Sequence, residues 1–316
     1  MDYLKGIAHY IVAHSRSCRI RVKSTPIVYR GRLAPSPTGF LHLGHAATFL
    51  AAAHRSKSNA GNLLFRNDDL DCARVRPHFT EAALQDLRWL GIQWQEGPDT
   101  GGPRGPYSQS ERISLYKGAM LSLLEAGWVY PCGCSRRDLA LALSAPHPSD
   151  EEPVYPGFCR PKTPLSNSCS PGFQPELNWR FRIPGPERVC FVDGRQGSQS
   201  ATAAVDFGDF LVWRKDGVPS YQLASAVDDA LMGITEVVRG ADLITSSFRQ
   251  LLLWRALGHT PPKLYHCSLL TDAAGQRLAK RNDALSLRTL RAAGHTPRDV
   301  KIRLLEMGVP AEILEL

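Results

Sequence analysis

Short apolar runs alternate with amphipathic stretches over the first third of the chain. Ile27–Leu33 (IVYRGRL) predicts a short strand that Pro35-Ser36-Pro37-Thr38-Gly39 breaks, and the apolar Ala46, Ala47, Phe49 and Leu50 predict a helix after it. Asn62–Arg66 (NLLFR) predicts a second strand. Phe79–Leu90 predicts an amphipathic helix with Leu84, Leu87 and Leu90 on one side and Gly91 as its stop. Strands alternating with helices argue for an α/β fold with a doubly wound parallel sheet, because parallel neighbours need a long crossover and a helix commonly supplies it.

The pattern changes in the middle of the chain. Residues 132–200 are rich in Cys, Pro, Ser and Gly, with strand-like pieces at Trp179–Ile183 and Val189–Val192 and a loop at Ser144–Pro153. This predicts an α+β insertion over 109–205 that splits the α/β unit into 28–108 and 206–258. Phe210–Arg214, Lys215-Asp216-Gly217 and Val218–Leu223 predict a hairpin on an Asp-Gly turn. Ile244–Leu257 predicts a helix that stops at Gly258, ahead of Pro261-Pro262. The C-terminal segment, 259–316, holds a basic loop at Gln276–Asn282 and two short helices.

With 316 residues, 43% of them hydrophobic and 22% charged, the chain can build one large or two modest domains without disulfide staples. The longest apolar runs, around Ala46–Ala53 and Leu251–Leu257, fall far short of the roughly 18–20 residues of a membrane span. A soluble protein with no membrane partner is expected. The net charge of +8 permits an anionic partner. Its distribution weakens that reading, because Lys5, Arg16, Arg19, Arg21, Lys23 and Arg30 against Asp2 put +5 in the first 30 residues and leave +3 for the other 286. Residues 1–27 read as a basic N-terminal extension, similar to a transit peptide in its Ser, Arg and His but without the apolar core or cleavage site of a secretory signal. Eight cysteines without such a signal suggest free thiols plus a metal site in a reducing compartment, the cytoplasm, rather than a disulfide framework.

Candidate chemistry is densest in Arg32-Leu-Ala-Pro-Ser-Pro-Thr-Gly-Phe-Leu-His-Leu-Gly-His45, where a strand feeds a Pro/Gly turn and then a helix with two histidines in its first turn. A helix N-terminus presents unpaired N–H groups and partial positive charge to anions. Gly39 and Gly44 would let a ligand approach the backbone, and His42 and His45, three apart on one helix face, could both donate to phosphate oxygens. Alone, a His-x-x-His pair is an ordinary surface feature. Within the Arg-x-Ala-Pro-Ser-Pro-Thr-Gly frame it resembles the His-Ile-Gly-His element of class I aminoacyl-tRNA synthetases, and the flanking residues are similar to the glutamyl branch.

That resemblance implies a Rossmann-like catalytic core that binds ATP with Mg²⁺, through positions matching Gly39, His42, Gly44 and His45, and takes L-glutamate as its amino acid. Arg277-Leu-Ala-Lys-Arg281 is similar to the family's Lys-Met-Ser-Lys-Ser loop, with Arg277 for the first lysine and Ala279 for the serine. Lys280 then matches the second lysine, which meets the ATP phosphates; by itself such a charge run is a solvated loop. Tyr221–Leu243 closely resembles the glutamyl and glutaminyl enzymes. It implies that Tyr221 and Arg239 contact the amino acid, through a phenol hydrogen bond and a bidentate guanidinium fork. The competing readings are a core tyrosine for Tyr221, and an ion pair with Asp228 or Asp242 for Arg239. Positions matching Arg32, Ala34 and Ser36 complete the pocket. Asp68, in Arg66-Asn-Asp-Asp-Leu-Asp71, stands where the family has a glutamate for the substrate ammonium, and its shorter side chain leaves Asp69 and Asp71 open as substitutes or structural residues.

Cys132-Gly-Cys134 and Tyr155-Pro-Gly-Phe-Cys159 offer three thiolates, which suit one tetrahedral structural zinc once a fourth ligand is found. Tyr155, His147 and a metal-free thiol cluster are all open on spacing; the core-only glutamyl paralogues, which use a tyrosine phenolate, imply Tyr155. The chain ends 36 residues beyond Lys280, where discriminating glutamyl and glutaminyl enzymes append an anticodon-binding domain. The resemblance spans about residues 28–300 and is therefore to the paralogue that transfers glutamate from its adenylate to the queuosine base of tRNA(Asp), here expected as a monomer. A truncated discriminating glutamyl-tRNA synthetase is one alternative. A non-catalytic paralogue that binds tRNA or amino acid is another, motivated by Asp68, Arg277 and Ala279.

Overall fold

The computed structural model describes residues 28–134, 154–163, 172–271 and 286–314. Strand β1 (Arg30–Leu33) and strand β2 (Asn62–Phe65) run parallel, with Arg30 opposite Asn62 and Leu33 opposite Phe65. Helix α1 (Leu43–Ser58) makes the crossover. Its buried Ala46, Ala47, Ala51, Ala52 and Ala53 have little bulk, so the helix beds closely on the strands, while Phe49 and Leu50 fill the remaining space. Helix α2 (Pro77–Trp89) opens on a proline that needs no N–H partner, and the chain turns away at Gly91 with φ of +87°.

Strand β8 (Glu236–Gly240) lies along the other side of β1: the Thr235 N–H donates to the Arg30 carbonyl at 2.9 Å, and Arg32 Nη1 donates to the Val238 carbonyl at 2.7 Å. Helix α5 (Ile244–Ala256) carries the chain to β9 (Lys263–Cys267), which pairs in parallel with β8. Arg55, in the last turn of α1, grips Glu236 at the start of β8 with Nη2 to Oε1 at 2.7 Å, tying the far end of the helix to the strand.

Strands β8 and β9 belong to a four-stranded sheet, distinct from the β1–β2 pair, that is mixed rather than wholly parallel. Strand β5 (Glu187–Asp193) adds to β9 in parallel, but β6 (Gly197–Ala203) folds back on β5 antiparallel. Only Gly194, Arg195 and Gln196 connect these two strands, and so short a link allows only a hairpin. A separate, antiparallel sheet joins β3 (Val129–Cys132), β4 (Asn178–Phe181) and β7 (Phe210–Trp213). Thus β5 and β6, within 109–205, join the sheet of β8 and β9, and β7, beyond that stretch, closes the smaller antiparallel one. Trp179, Phe181, Phe210 and Trp213 are buried in the smaller sheet, in one core with helices α3 (Ile113–Glu125) and α4 (Tyr221–Leu231) and with α5.

Two expected elements differ. The Asp-Gly turn after β7 forms, with the Arg214 N–H on the Val218 carbonyl at 2.9 Å and Gly217 at φ of +84°, but the second arm does not extend to Leu223. Ser220 caps a helix there, its hydroxyl accepting the Leu223 N–H, and α4 begins at Tyr221. Among the described residues the C-terminal part holds three short helices where two were expected: α6 (Leu287–Ala292), α7 (Pro297–Glu306) and α8 (Ala311–Leu314). The basic extension, the Ser144–Pro153 loop with His147 (except that Val154 beyond it is described), and the Gln276–Asn282 loop lie outside the described residues. Among the described residues no helix is long and apolar enough to cross a membrane.

Candidate active site

A cleft of about 550 Å³ opens at the carboxyl ends of β1, β8 and β9, beside the N-terminus of α1. Open parallel sheets place ligands at this edge, and the volume suits a small ligand. Its wall brings together Arg32, Ala34, Ser36, His42, Gly44, His45, Asp68, Tyr221 and Arg239, which the sequence scatters over some two hundred positions. Asp242 and Ser268–Leu270 are among the other residues that line it. Gly39 does not line the cleft, and a Cβ there would meet nothing within 4 Å. Lys280 lies outside the described residues, but Leu270 before it is in the wall and Ser286 after it bridges to His42.

His42 is the N-cap of α1. Its Nδ1 accepts the Gly44 N–H at 3.1 Å, and His45 Nδ1 accepts the His42 N–H at 3.2 Å, a reciprocal capping box built from two imidazoles. The ring centroids are 3.9 Å apart. Because both Nδ1 atoms accept, a singly protonated ring at either position carries its proton on Nε2, a donor of the kind that phosphate oxygens take.

Arg239, on β8, is buried with its guanidinium held on every side. Nε donates to His266 Nε2 at 3.2 Å, Nη2 to Ser247 Oγ at 2.7 Å, and Nη1 to Gln250 Oε1 at 2.8 Å and to the Tyr221 hydroxyl at 3.3 Å. None of these partners is a carboxylate, and neither Asp228 nor Asp242 makes the ion pair that the sequence left open. Four of its five N–H groups are engaged, so a ligand meets one Nη2 N–H and the Tyr221 O–H rather than an empty two-pronged fork. Tyr221 itself is 41% exposed at the mouth of α4, not a core residue.

Beneath the cleft runs a buried charge network. Arg66, fully buried, donates to Asp68 at 2.7 Å and to Asp229 at 2.7 Å, and Asp229 also takes Arg32 Nε at 3.3 Å. Asp228 accepts from Arg112 at 2.7 Å, Gln109 at 2.8 Å and Tyr116 at 2.8 Å. Burial pushes the Asp68 carboxyl up to about 6, against the pull of Arg66. Burial likewise lowers Arg32 below the usual arginine range. Asp69 accepts from the Ser110 N–H and hydroxyl at 2.8 and 2.7 Å, and Asp71 pairs with Arg74, so both are structural and Asp68 alone of the three faces the cleft.

The three cysteines also converge, their sulfurs all within 4.8 Å of one another. Tyr155 Oη lies 3.5 Å from both Cys132 Sγ and Cys134 Sγ, and Cys134 Sγ lies 3.5 Å from Cys159 Sγ. Ligand atoms around a tetrahedral zinc stand about 3.5–3.8 Å apart, so the donor set fits that ion. Arg180 closes the other side, 3.8 Å above the Tyr155 ring and 3.3 Å from Cys132 Sγ. Burial raises Cys134 to about 11 and raises Tyr155 as well, so a cation here would be needed to hold both groups ionised.

Sequence reasoning did not single out Arg66, Asp229, Asp193, His266, Ser247 or Gln250. A charged residue directly after the buried run Leu63–Phe65, and a histidine inside the buried run Leu264–Cys267, were the signals available.

The catalytic-domain model of tRNA synthetases class I (E and Q) matches residues 29–315. The chain is 49% identical over 273 residues to the glutamyl-Q tRNA(Asp) synthetase of Symbiobacterium thermophilum, covering 85% of this chain and 83% of that protein. It is 47% identical to the protein of the same name from Nitratidesulfovibrio vulgaris, over 84% and 82% of the two chains. The glutamate–tRNA ligase 1 of Halorhodospira halophila is 42% identical, over 89% of this chain and 59% of that protein. The crystal structure of glutamate–tRNA synthetase from Elizabethkingia anophelis superposes with a TM-score of 0.70 at 29% identity, over 81% of this chain and 53% of its own, so this chain spans about half of that enzyme. Class I tRNA synthetases of the glutamyl and glutaminyl type, and within them the glutamyl-Q tRNA(Asp) synthetases, are thus the family to which this chain belongs.

Proposed function

We propose that this protein activates L-glutamate with ATP and transfers the glutamyl group to the queuosine base in the anticodon loop of tRNA(Asp), in the cytoplasm. The observation that carries the activation step is Arg239, 4% exposed in the cleft wall and, among the described residues, without a carboxylate in direct contact. A buried cation without a carboxylate in contact is costly, and a substrate carboxylate would supply that contact. The acceptor rests on the two relatives named for it, which match over four-fifths of their own length.

In this reading Arg239 and Tyr221 receive a glutamate carboxylate, Arg32, Ala34 and Ser36 shape the pocket, and Asp68 faces the ammonium. An α-carboxylate oxygen attacks the α-phosphorus of ATP, the bond to the bridging oxygen breaks, and pyrophosphate leaves. The nucleophile is already ionised, so positioning and charge stabilisation suffice without a general base. The Nε2–H groups of His42 and His45 and the N-terminus of α1 stabilise the growing phosphate charge, with Gly44 giving them room. Lys280 is assigned to the phosphates by its motif, and Mg²⁺ arrives with ATP. A queuosine hydroxyl then attacks the adenylate carbonyl, and AMP departs as the hydroxyl proton is lost. One structural zinc is assigned to Cys132, Cys134, Tyr155 and Cys159, where it would tie the end of β3 to the 154–159 turn.

Labelled glutamate should transfer to native tRNA(Asp) and not to an unmodified transcript of it. Equal charging of both, or charging of tRNA(Glu), would favour a glutamyl-tRNA synthetase instead. Absence of glutamate-dependent ATP–pyrophosphate exchange would leave only a binding paralogue.

A further inference from the structure

Asp193 and His266 stand behind Arg239, and neither lines the cleft. Asp193 ends β5, and its Oδ1 accepts three backbone N–H groups: Arg195 at 2.9 Å, Gln196 at 2.8 Å and His266 at 3.1 Å. Its Oδ2 lies 2.6 Å from His266 Nδ1. His266, on β9, is fully buried, with Ser247 Oγ 3.0 Å from its Nε2. Arg239 Nε donates to that same nitrogen at 3.2 Å.

This arrangement admits one tautomer. A guanidinium N–H is always a donor, so His266 Nε2 must accept and the ring proton must sit on Nδ1, pointing at the Asp193 carboxylate. Burial and the neighbouring Arg239 lower the His266 pKa, so the ring stays neutral. The Asp193 carboxylate is in turn held by its three backbone donors. A rigid hairpin turn outside the cleft thereby sets the rotation of the guanidinium that faces into it.

We propose that Asp193 and His266 are positioning residues for amino-acid recognition, fixing Arg239 through the His266 tautomer so that its Nη2 N–H and the Tyr221 O–H are aimed into the cleft. This rests on the reading of Arg239 as the carboxylate receptor.

Asp193→Asn tests it. Because Oδ1 is locked by three N–H groups, the new amide nitrogen must face His266 Nδ1, which forces the ring proton to Nε2 and sets donor against donor at Arg239. Two-bond ¹⁵N–¹H correlation of the histidine rings should show the Nδ1–H tautomer for His266 in the wild type and Nε2–H in the variant, with the Arg239 Nε–H resonance displaced. In ATP–pyrophosphate exchange the KM for glutamate should rise about ten- to a hundredfold, with kcat and the ATP KM within about twofold. His266→Gln offers a carbonyl oxygen where Nε2 stood and should keep the glutamate KM within about fivefold of wild type, whereas His266→Leu should match Asp193→Asn. An unchanged tautomer and Arg239 resonance in Asp193→Asn overturns the proposal whatever the activity. So does a parallel loss of kcat, ATP KM and Tm in all three variants, which marks a purely structural role. A wild type with no glutamate-dependent exchange would sink the functional reading instead, and the spectra would still decide whether Asp193 sets Arg239.

Discussion

The imidazole of His42 folds back over Gly44, so that a Cβ on Gly44 would stand 3.0 Å from His42 Cε1 and 3.2 Å from Nδ1. The glycine between the two histidines thus leaves the capping ring its room, besides any approach of a ligand. Gly44→Ala should push the ring aside by a few tenths of an ångström. A misplaced catalytic donor costs on the order of ten- to a hundredfold in kcat. Alanine also raises helix propensity, by up to about 1 kcal/mol, so Tm should hold or rise while activity falls. Steady-state exchange kinetics beside a thermal melt would show the split; a fall in both would contradict it.

Arg239→Lys keeps the charge but cannot reach His266, Ser247, Gln250 and Tyr221 together, because an ammonium has three donors on one atom and no planar fork. The glutamate KM should rise about ten- to a hundredfold, with the ATP KM nearly unchanged. Equal changes in both constants would point to general disruption of the cleft.

With its carboxyl raised to about 6, Asp68 loses its charge as pH falls through that value. The ammonium contact weakens accordingly, so the glutamate KM should climb below pH 6 by up to about tenfold per unit, and Asp68→Asn should flatten that limb at the cost of a high KM throughout. The sign for stability is opposite. A folded-state carboxyl above its unfolded value binds its proton more tightly in the native state, so this group favours folding increasingly as pH drops from about 6 towards 4. A glutamate KM independent of pH between 5 and 7 would remove Asp68 from the ammonium site.

Purified protein should carry about one zinc per chain. Tyr155→Phe removes one donor while keeping the ring under Arg180, and should weaken zinc retention against a chelator by about tenfold or more and lower Tm. Metal analysis and melting in parallel check this. Undiminished zinc in Tyr155→Phe would hand the fourth position to another ligand.

Much of the site was legible in the chain. The strand–turn–helix from Arg32 to His45 carries local signals, a turn composition followed by a helix start, whereas Tyr221 and Arg239 were legible only through the resemblance of Tyr221–Leu243 to the glutamyl and glutaminyl enzymes. The sheets were read less completely: β1 with β2, and β8, β9 and β5 in turn, pair in parallel, but β6 returns on β5 as an antiparallel hairpin. Alternating strands and helices reveal crossovers, but a three-residue link between Asp193 and Gly197 is a local feature easily lost in a polar stretch. The predicted arm at Val218–Leu223 failed for a related reason: its apolar residues suit a strand or a buried helix face equally, and the Ser220 cap decides.

By itself the sequence determined which groups are present and in what local frames: two histidines on one helical turn, a Cys-x-Cys pair, an acidic run after a short strand. Only the tertiary structure decided their partners. It gave Asp68 to Arg66, placed Tyr155 between two cysteine sulfurs, and set Asp193 and His266 behind Arg239. Each of these last two residues reaches the arginine across strands far apart in the chain. Helical spacing and turn chemistry act over a few residues, whereas buried polar groups must find partners wherever the packed chain brings donors and acceptors together, and that pairing is a property of the fold.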